Sequence, residues 1–139
     1  MNWKKFFFAF IAVFIFTFFW GWLMNGVLLK DIYAQSANLW RSQDEMRSLF
    51  HWIILGQALI VFAFVLIYVS GFAGGGVAGG IKLGIMFEIA AIGMRIAMYA
   101  VRPSPEKLIV LGSIGGLIEM IIAGAIAGAL YKPTAKIDL

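Results

Sequence analysis

Apolar positions in this chain gather into four long runs, at residues 6–29, 51–70, 81–101 and 108–131, parted by polar or glycine-rich breaks. At 1.5 Å of rise per residue each run is long enough to cross the hydrocarbon core of a bilayer as a helix. The runs lack the strict alternation of half-buried strands. The pattern therefore predicts an all-α membrane protein: one domain over residues 1–139, with four transmembrane helices in a compact bundle and a polar, interfacial segment between helices 1 and 2.

The breaks carry their own signals. Lys4 and Lys5 precede the first run, which is dense in phenylalanine. That run is too long for a signal-peptide core, and no small-x-small cleavage pattern follows it. Trp20 and Trp22 near its far end suit an interfacial aromatic belt. Residues 30–50 form the sizeable polar stretch. Within it Ser42 and Glu45 have capping-box spacing, which places the start of the second helix near Ser42. Tyr33, Leu39, Trp40 and Arg41 fall in the same stretch. Either they rest on the bilayer surface and the helix ends, or they form a docking surface for another subunit. Residues 71–80 contain six glycines and read as a flexible turn between spans. Gly74, Gly76 and Gly79 match G-x-G-x-x-G literally, but no strand precedes them, so a dinucleotide fold is excluded.

Charge inside the apolar runs changes the picture most. Glu88 and Arg95, seven residues apart, lie on one helix face two turns from each other. Glu119 interrupts the last run. A charge near the bilayer centre costs about 2.5–3.5 kcal/mol on insertion scales, so these side chains are expected to face protein or water. With a turn near Ser104 and Pro105, Glu88 lies about 16 residues before it and Glu119 about 15 after, which puts both at nearly one depth. Arg95 lies closer to the turn, within partial reach of Glu119. The three groups are therefore expected in one buried site, either as a structural ion pair that fixes helix register or as an ion relay or head-group site. Gly112, Gly116, Gly124 and Gly128 follow small-xxx-small spacing on the last run and are expected to let another helix approach closely. Asn25 and Gln57 fall toward one membrane face and suggest a polar entrance, with His51 close by. Asn25 alone reads as a helix-to-helix hydrogen bond at the membrane edge, and His51 as a solvated side chain.

Composition narrows the function classes. The chain is 63 % hydrophobic and 13 % charged, with a mean hydropathy of +0.95, values outside the range of an ordinary soluble domain. Its net charge of +4 comes from loop lysines and arginines and forms no track for nucleic acid. There is no cysteine and only one histidine. Disulfides, thiolate metal sites and a bis-histidine haem are excluded within one chain. No metal is expected, and no cofactor is predicted, although aromatic-rich spans can line a bound lipid or pigment. Two membrane carboxylates without a nucleophile pair, metal cluster or cofactor motif do not indicate an enzyme. Basic residues divide evenly between the two sides, five against five. Lys4 and Lys5 ahead of the first span then favour cytoplasmic termini.

The segments Gly26-Val27-Leu28-Leu29, Tyr33, Leu39-Trp40-Arg41 and Glu45-Met46, with a lysine-led first helix and an acidic residue in the last, resemble a group of small four-helix bacterial membrane proteins. The resemblance implies that architecture and a bacterial inner (cytoplasmic) membrane, and brings no activity with it. Two functions are expected to compete. One is an accessory or scaffold subunit of a larger membrane complex or a homo-oligomer, with membrane lipids and other membrane subunits or itself as partners. The other is a proton- or ion-coupled transporter or channel using Glu88, Arg95 and Glu119.

Overall fold

The computed structural model describes residues 1–133, and these are mostly helical, with no strand among them. Lys136, one of the residues weighed for orientation, lies outside the described residues. Helix α1 covers Trp3–Leu23 and continues as a π-turn over Met24–Leu28. Two short helices, α2 (Lys30–Gln35) and α3 (Gln43–Ser48), make up the polar segment. Helix α4 is Phe50–Ile67, α5 is Gly76–Val101 and α6 is Glu106–Leu130. Three helical stretches are long and apolar enough to cross a membrane: Trp3–Leu28, Phe50–Val101 and Glu106–Leu130. A helix satisfies its backbone hydrogen bonds internally, so such sequences can stay helical in lipid.

The middle stretch has 52 residues and is not a straight rod. The chain tightens and loosens through a π-turn at Tyr68–Phe72 and a 3-10 turn at Ala73–Gly75. It then passes through Gly76 at φ 56°, a left-handed backbone that favours glycine. Phe64 in α4 consequently meets Phe87 in α5 edge to face, with ring centroids 5.4 Å apart. In a straight helix the same residues would stand about 35 Å apart. The Tyr68 hydroxyl fastens this bend by donating toward the carbonyls of Gly76 at 3.2 Å and Tyr131 at 3.4 Å.

Helix α1 packs against α4 and α6. Phe6, Ala9 and Val13 of α1 are buried together with Val61, Phe64 and Val65 of α4 and Ala123 and Ala127 of α6. Phe6 stands edge to face against Phe62 at 5.3 Å. The opposite face of α1, with Phe8, Ile11, Ile15, Phe19 and Trp22, points outward. The start of α1 and the end of α6 meet: the Asn2 backbone N–H donates to the Tyr131 hydroxyl at 3.2 Å, and the Lys5 ammonium donates to the Lys132 carbonyl at 3.1 Å. Asn2 also caps α1 by accepting from the Lys5 N–H at 3.1 Å.

The tightest interface joins α5 and α6. Gly76 faces Gly128, Gly80 faces Gly124, Gly84 faces the Met120 backbone and Glu88 faces Gly116. Each rung lies four residues up one helix and four down the other, the register of an antiparallel pair. A Cβ added to Gly80 or Gly84 would be driven into the opposing carbonyl, so backbone rests on backbone.

This ladder corrects the expectation for residues 71–80. The reversal itself ends at Gly76, whereas Gly79 and Gly80 are helical, because close approach of Gly80 to α6 outweighs the low helix propensity of glycine. The start of the second helix is also revised. The Ser42 hydroxyl accepts from the Glu45 N–H at 3.2 Å as the capping box requires, but the helix it caps ends after Ser48. There the Ser48 hydroxyl donates back to the Glu45 carbonyl at 2.7 Å, a local bond that competes with helix continuation.

Candidate functional site

Above the Glu88–Gly116 rung, toward the turn between them, α5 and α6 no longer lie backbone on backbone. Gly112 has nothing within 4 Å of the position a Cβ would take. The space that opens is a cavity of about 430 Å³, within the range of small-ligand sites. Four segments wall it. The end of α1 brings Trp20, Met24 and Asn25, and the polar segment brings Tyr33 and Trp40. The end of α5 adds Met94, Arg95 and Met98, the residue after it adds Arg102, and α6 adds Leu108, Gly112, Gly116 and Glu119.

The first span reaches the cavity because its π-turn carries Met24 and Asn25 inward. Met24 lies where a Cβ on Gly115 would stand, so that glycine accommodates a side chain from α1. The Trp20 indole N–H donates to the Gly115 carbonyl at 3.2 Å. Trp20 thus faces the bundle, not the membrane interface expected for it, whereas Trp22 is exposed.

The three intramembrane charges divide. Arg95 reaches back two turns along its own helix and donates from Nη1 to Glu88 Oε1. The Cα–Cβ bonds of a helix tilt toward its N-terminus, so a long side chain extends naturally in that direction. Glu88 is 3 % exposed, and Gly116 opposite leaves room for its carboxylate. Glu119 lies one turn further along α6, near the same depth as expected, and lines the cavity with Arg95. It joins neither the ion pair nor a hydrogen bond among the described residues.

At the mouth, Tyr33, Trp40 and Arg102 form a second cluster. Tyr33 and Trp40 meet edge to face at 5.2 Å, and the Arg102 guanidinium lies over the Trp40 ring, 4.7 Å from its centroid. The Trp40 indole donates to Ser36 Oγ at 3.0 Å, and Arg102 Nε donates to Ser104 Oγ at 3.3 Å. The Tyr33 hydroxyl donates to Asn25 Oδ1 at 2.9 Å. Burial raises the Tyr33 pKa, with the charges of Arg102 and Arg95 pulling in the opposite sense.

Several expected site residues lie elsewhere. Gln57 does not join Asn25. Its amide donates to Thr17 Oγ1 at 2.8 Å, linking α4 to α1. A lone amide in an apolar span takes the nearest hydroxyl, and Thr17 supplies it. His51 is exposed with its ring against Trp52, 5.1 Å between centroids, and lies outside the cavity. Arg41 is exposed and sits 3.9 Å from Glu45, while Leu39 is half-buried beside the cluster without lining the cavity. Gly112 proves to be cavity wall and not a packing contact, because the ladder has already ended. Gly116, Gly124 and Gly128 are packing contacts.

Comparison with protein-family models, with curated proteins and with solved structures finds no match for the chain. What the site can do therefore rests on its own residues. Among the described residues no three His, Cys, Asp or Glu side chains stand close enough to hold a metal ion. The cavity offers two guanidinium groups, one carboxylate, hydroxyl and amide groups near the mouth, and methionine and leucine walls between. It can hold a polar group at the end of the bundle.

Proposed function

We propose that this is a four-span membrane protein that works by holding and not by transforming: an accessory or scaffold subunit of a larger membrane assembly or of its own homo-oligomer. It resides in a bacterial cytoplasmic membrane with both ends on the cytoplasmic side. The reversal at Tyr68–Gly76 supports four crossings, as does the meeting of Lys5 with Lys132, since an even number of crossings returns the chain to its starting side.

The observation that carries the scaffold reading is the engagement of Glu88 with Arg95 beside the glycine ladder. A carboxylate held by its own helix and wedged against Gly116 fixes register and is poorly suited to carry protons. Purification from native membranes in mild detergent, followed by native gel and mass spectrometry, is expected to find the protein in a larger or homo-oligomeric assembly. Recovery as a solitary monomer refutes the reading.

A proton- or ion-coupled carrier is the second reading. It is favoured by Glu119, whose carboxylate lines the cavity outside the ion pair. It requires flux in liposomes that Glu119→Gln abolishes with the fold intact. Flux no greater than that of empty liposomes ends it.

A further inference from the structure

We propose that the cavity at the turn end of α5 and α6 is a binding site for a phosphate ester whose alcohol part carries hydroxyl groups, the chemistry of a glycerol phosphate. The site does not depend on the scaffold reading and stands or falls separately.

Charge decides the anionic end. Three charged side chains line the cavity: Arg95, Arg102 and Glu119. Arg95 is balanced by Glu88, and among the described residues Arg102 forms no ion pair with a carboxylate. The Trp40 ring holds the guanidinium over its face, and the bond from Nε to Ser104 fixes one edge. The two Nη groups remain to grip an oxyanion in the planar, two-pronged manner that arginine offers phosphate. Ser104 accepts from Arg102 and so keeps its own O–H to donate. Asn25 accepts from Tyr33 through Oδ1 and keeps its amide N–H groups. Among the described residues no acidic side chain lines the mouth, and Glu106 accepts from the Tyr99 hydroxyl outside the cavity.

The hydroxylated end follows from depth. Arg95 lies about two turns below Arg102, the residue that follows α5, or about 10 Å along the axis, and the cavity continues to Glu119. A lone carboxyl group at the inner end hydrogen-bonds alcohol groups and offers an anion no counter-charge. The walls between, Met24, Met94, Met98 and Leu108, suit a carbon skeleton. About 430 Å³ exceeds the space of a single ion and takes a head group of this kind.

Two sources share this chemistry, the head group of a membrane phosphatidylglycerol and a water-soluble glycerol phosphate. The test uses the full chain in phosphatidylcholine nanodiscs, with tryptophan fluorescence as readout because Trp20 and Trp40 wall the cavity. Native mass spectrometry of retained lipid runs beside it. A fluorescence response to glycerol phosphate assigns a soluble source. Selective retention of phosphatidylglycerol over phosphatidylcholine assigns a lipid source, and either result supports the site. Arg102→Gln is expected to weaken binding about tenfold, the worth of a charge-assisted contact. Arg102 is exposed and lies beyond the end of α5, so the fold should tolerate the change. Trp40→Leu, which removes the stacking platform, is expected to weaken binding as well. Arg41→Gln, exposed and outside the cavity, is expected to leave binding as it was. No response to glycerol phosphate together with equal retention of both lipids overturns the proposal. So does unchanged binding by Arg102→Gln, an equal loss with Arg41→Gln, or a preference for a quaternary ammonium ion.

Discussion

Alanine substitutions at two glycines of the α5–α6 hairpin should act with opposite signs. At Gly84 the new methyl group would run into the Met120 carbonyl, with the Ile121 nitrogen 3.3 Å away, and these neighbours are backbone that cannot rotate aside. The helices must part by about 1 Å, a gap that forfeits a quarter to a half of the dispersion attraction at each affected contact. The loss extends beyond one rung, because Gly76, Gly80, Gly124 and Gly128 share the same interface. Overpacking of this kind costs roughly 1–3 kcal/mol. With several rungs affected the upper part of that range applies, and alanine recovers up to about 1 kcal/mol through its higher helix propensity, so Gly84→Ala should destabilise by about 1–2 kcal/mol net. At Gly112 a Cβ meets nothing within 4 Å, and only the propensity gain remains. Gly112→Ala should be neutral or stabilising by up to about 1 kcal/mol. Adding Gly124→Ala to Gly80→Ala should cost less than the two separately, since the first change has already moved the helices apart. Reversible unfolding in mixed micelles of mild detergent and dodecyl sulfate, followed by tryptophan fluorescence, measures each difference. Gly84→Ala at wild-type stability, or Gly112→Ala as damaging as Gly84→Ala, would refute a backbone-contact ladder that ends at Glu88.

Arg95→Gln leaves the Glu88 carboxylate buried without its partner and should destabilise by about 3 kcal/mol, with Glu88→Gln in the double variant restoring most of it. A double variant as unstable as Arg95→Gln, measured in the same micelles, would show that the two charges do not neutralise each other. Thr17→Val removes the acceptor of the Gln57 amide and should cost about 0.6–1.7 kcal/mol, the range of interhelical hydrogen bonds in membranes. Adding Gln57→Leu should recover that loss, and no recovery would count against the pair. For Tyr33, burial favours the neutral phenol and raises its pKa above the model-compound value of 10.0. The stability this contributes is present below about pH 10 and is lost as pH rises through the higher folded value. Thermal unfolding between pH 8 and 12 should therefore fall less steeply for Tyr33→Phe than for the native chain, and parallel curves would contradict a buried phenol.

The helical class and the apolar stretches were legible because a bilayer leaves few choices. A run of about 20 apolar residues must be helical to satisfy its backbone. The Glu88–Arg95 pair was legible for the same kind of reason, since spacing of seven puts both on one face and a membrane interior demands partners. Gly124 and Gly128 were read correctly from their spacing, yet the identical spacing at Gly112 and Gly116 misled at Gly112. Small-xxx-small spacing marks a helix face but not where along that face the neighbour departs. The turn expected over residues 71–80 ends at Gly76, and its last part was misread: Gly79 and Gly80 are helical, with α6 lying against Gly80. Gln57 was grouped with Asn25 by depth, while rotation about the helix axis turned it toward Thr17 instead. Arg102 escaped notice because a cation beside a loop proline is unremarkable in sequence. Its significance appears only when Trp40, distant in the chain, lies beneath it.

The cavity and the ladder have one cause. Three rungs of backbone contact bring α5 and α6 together at the end where Asn2 meets Tyr131. At the fourth rung the contact is no longer between backbones, because the Glu88 carboxylate occupies the place over Gly116. A side chain between two helices holds them apart, and the next position, Gly112, is already out of contact. Arg95 then has space to lie along α5 toward Glu88, and α1 fills part of the gap with Trp20 and Met24. The remainder is the cavity, closed over by Tyr33 and Trp40 from the polar segment. The ion pair that fixes the hairpin therefore also sets where the hairpin opens. Replacing Glu88 with alanine and Arg95 with leucine together should let α5 and α6 close further and shrink the cavity, while the glycine ladder keeps the hairpin assembled. In nanodiscs such a variant should lose the fluorescence response of Trp20 and Trp40 to glycerol phosphate or phosphatidylglycerol even though Arg102 is intact. A response equal to that of the native chain would mean that the mouth cluster alone, and not the wedge beneath it, makes the site.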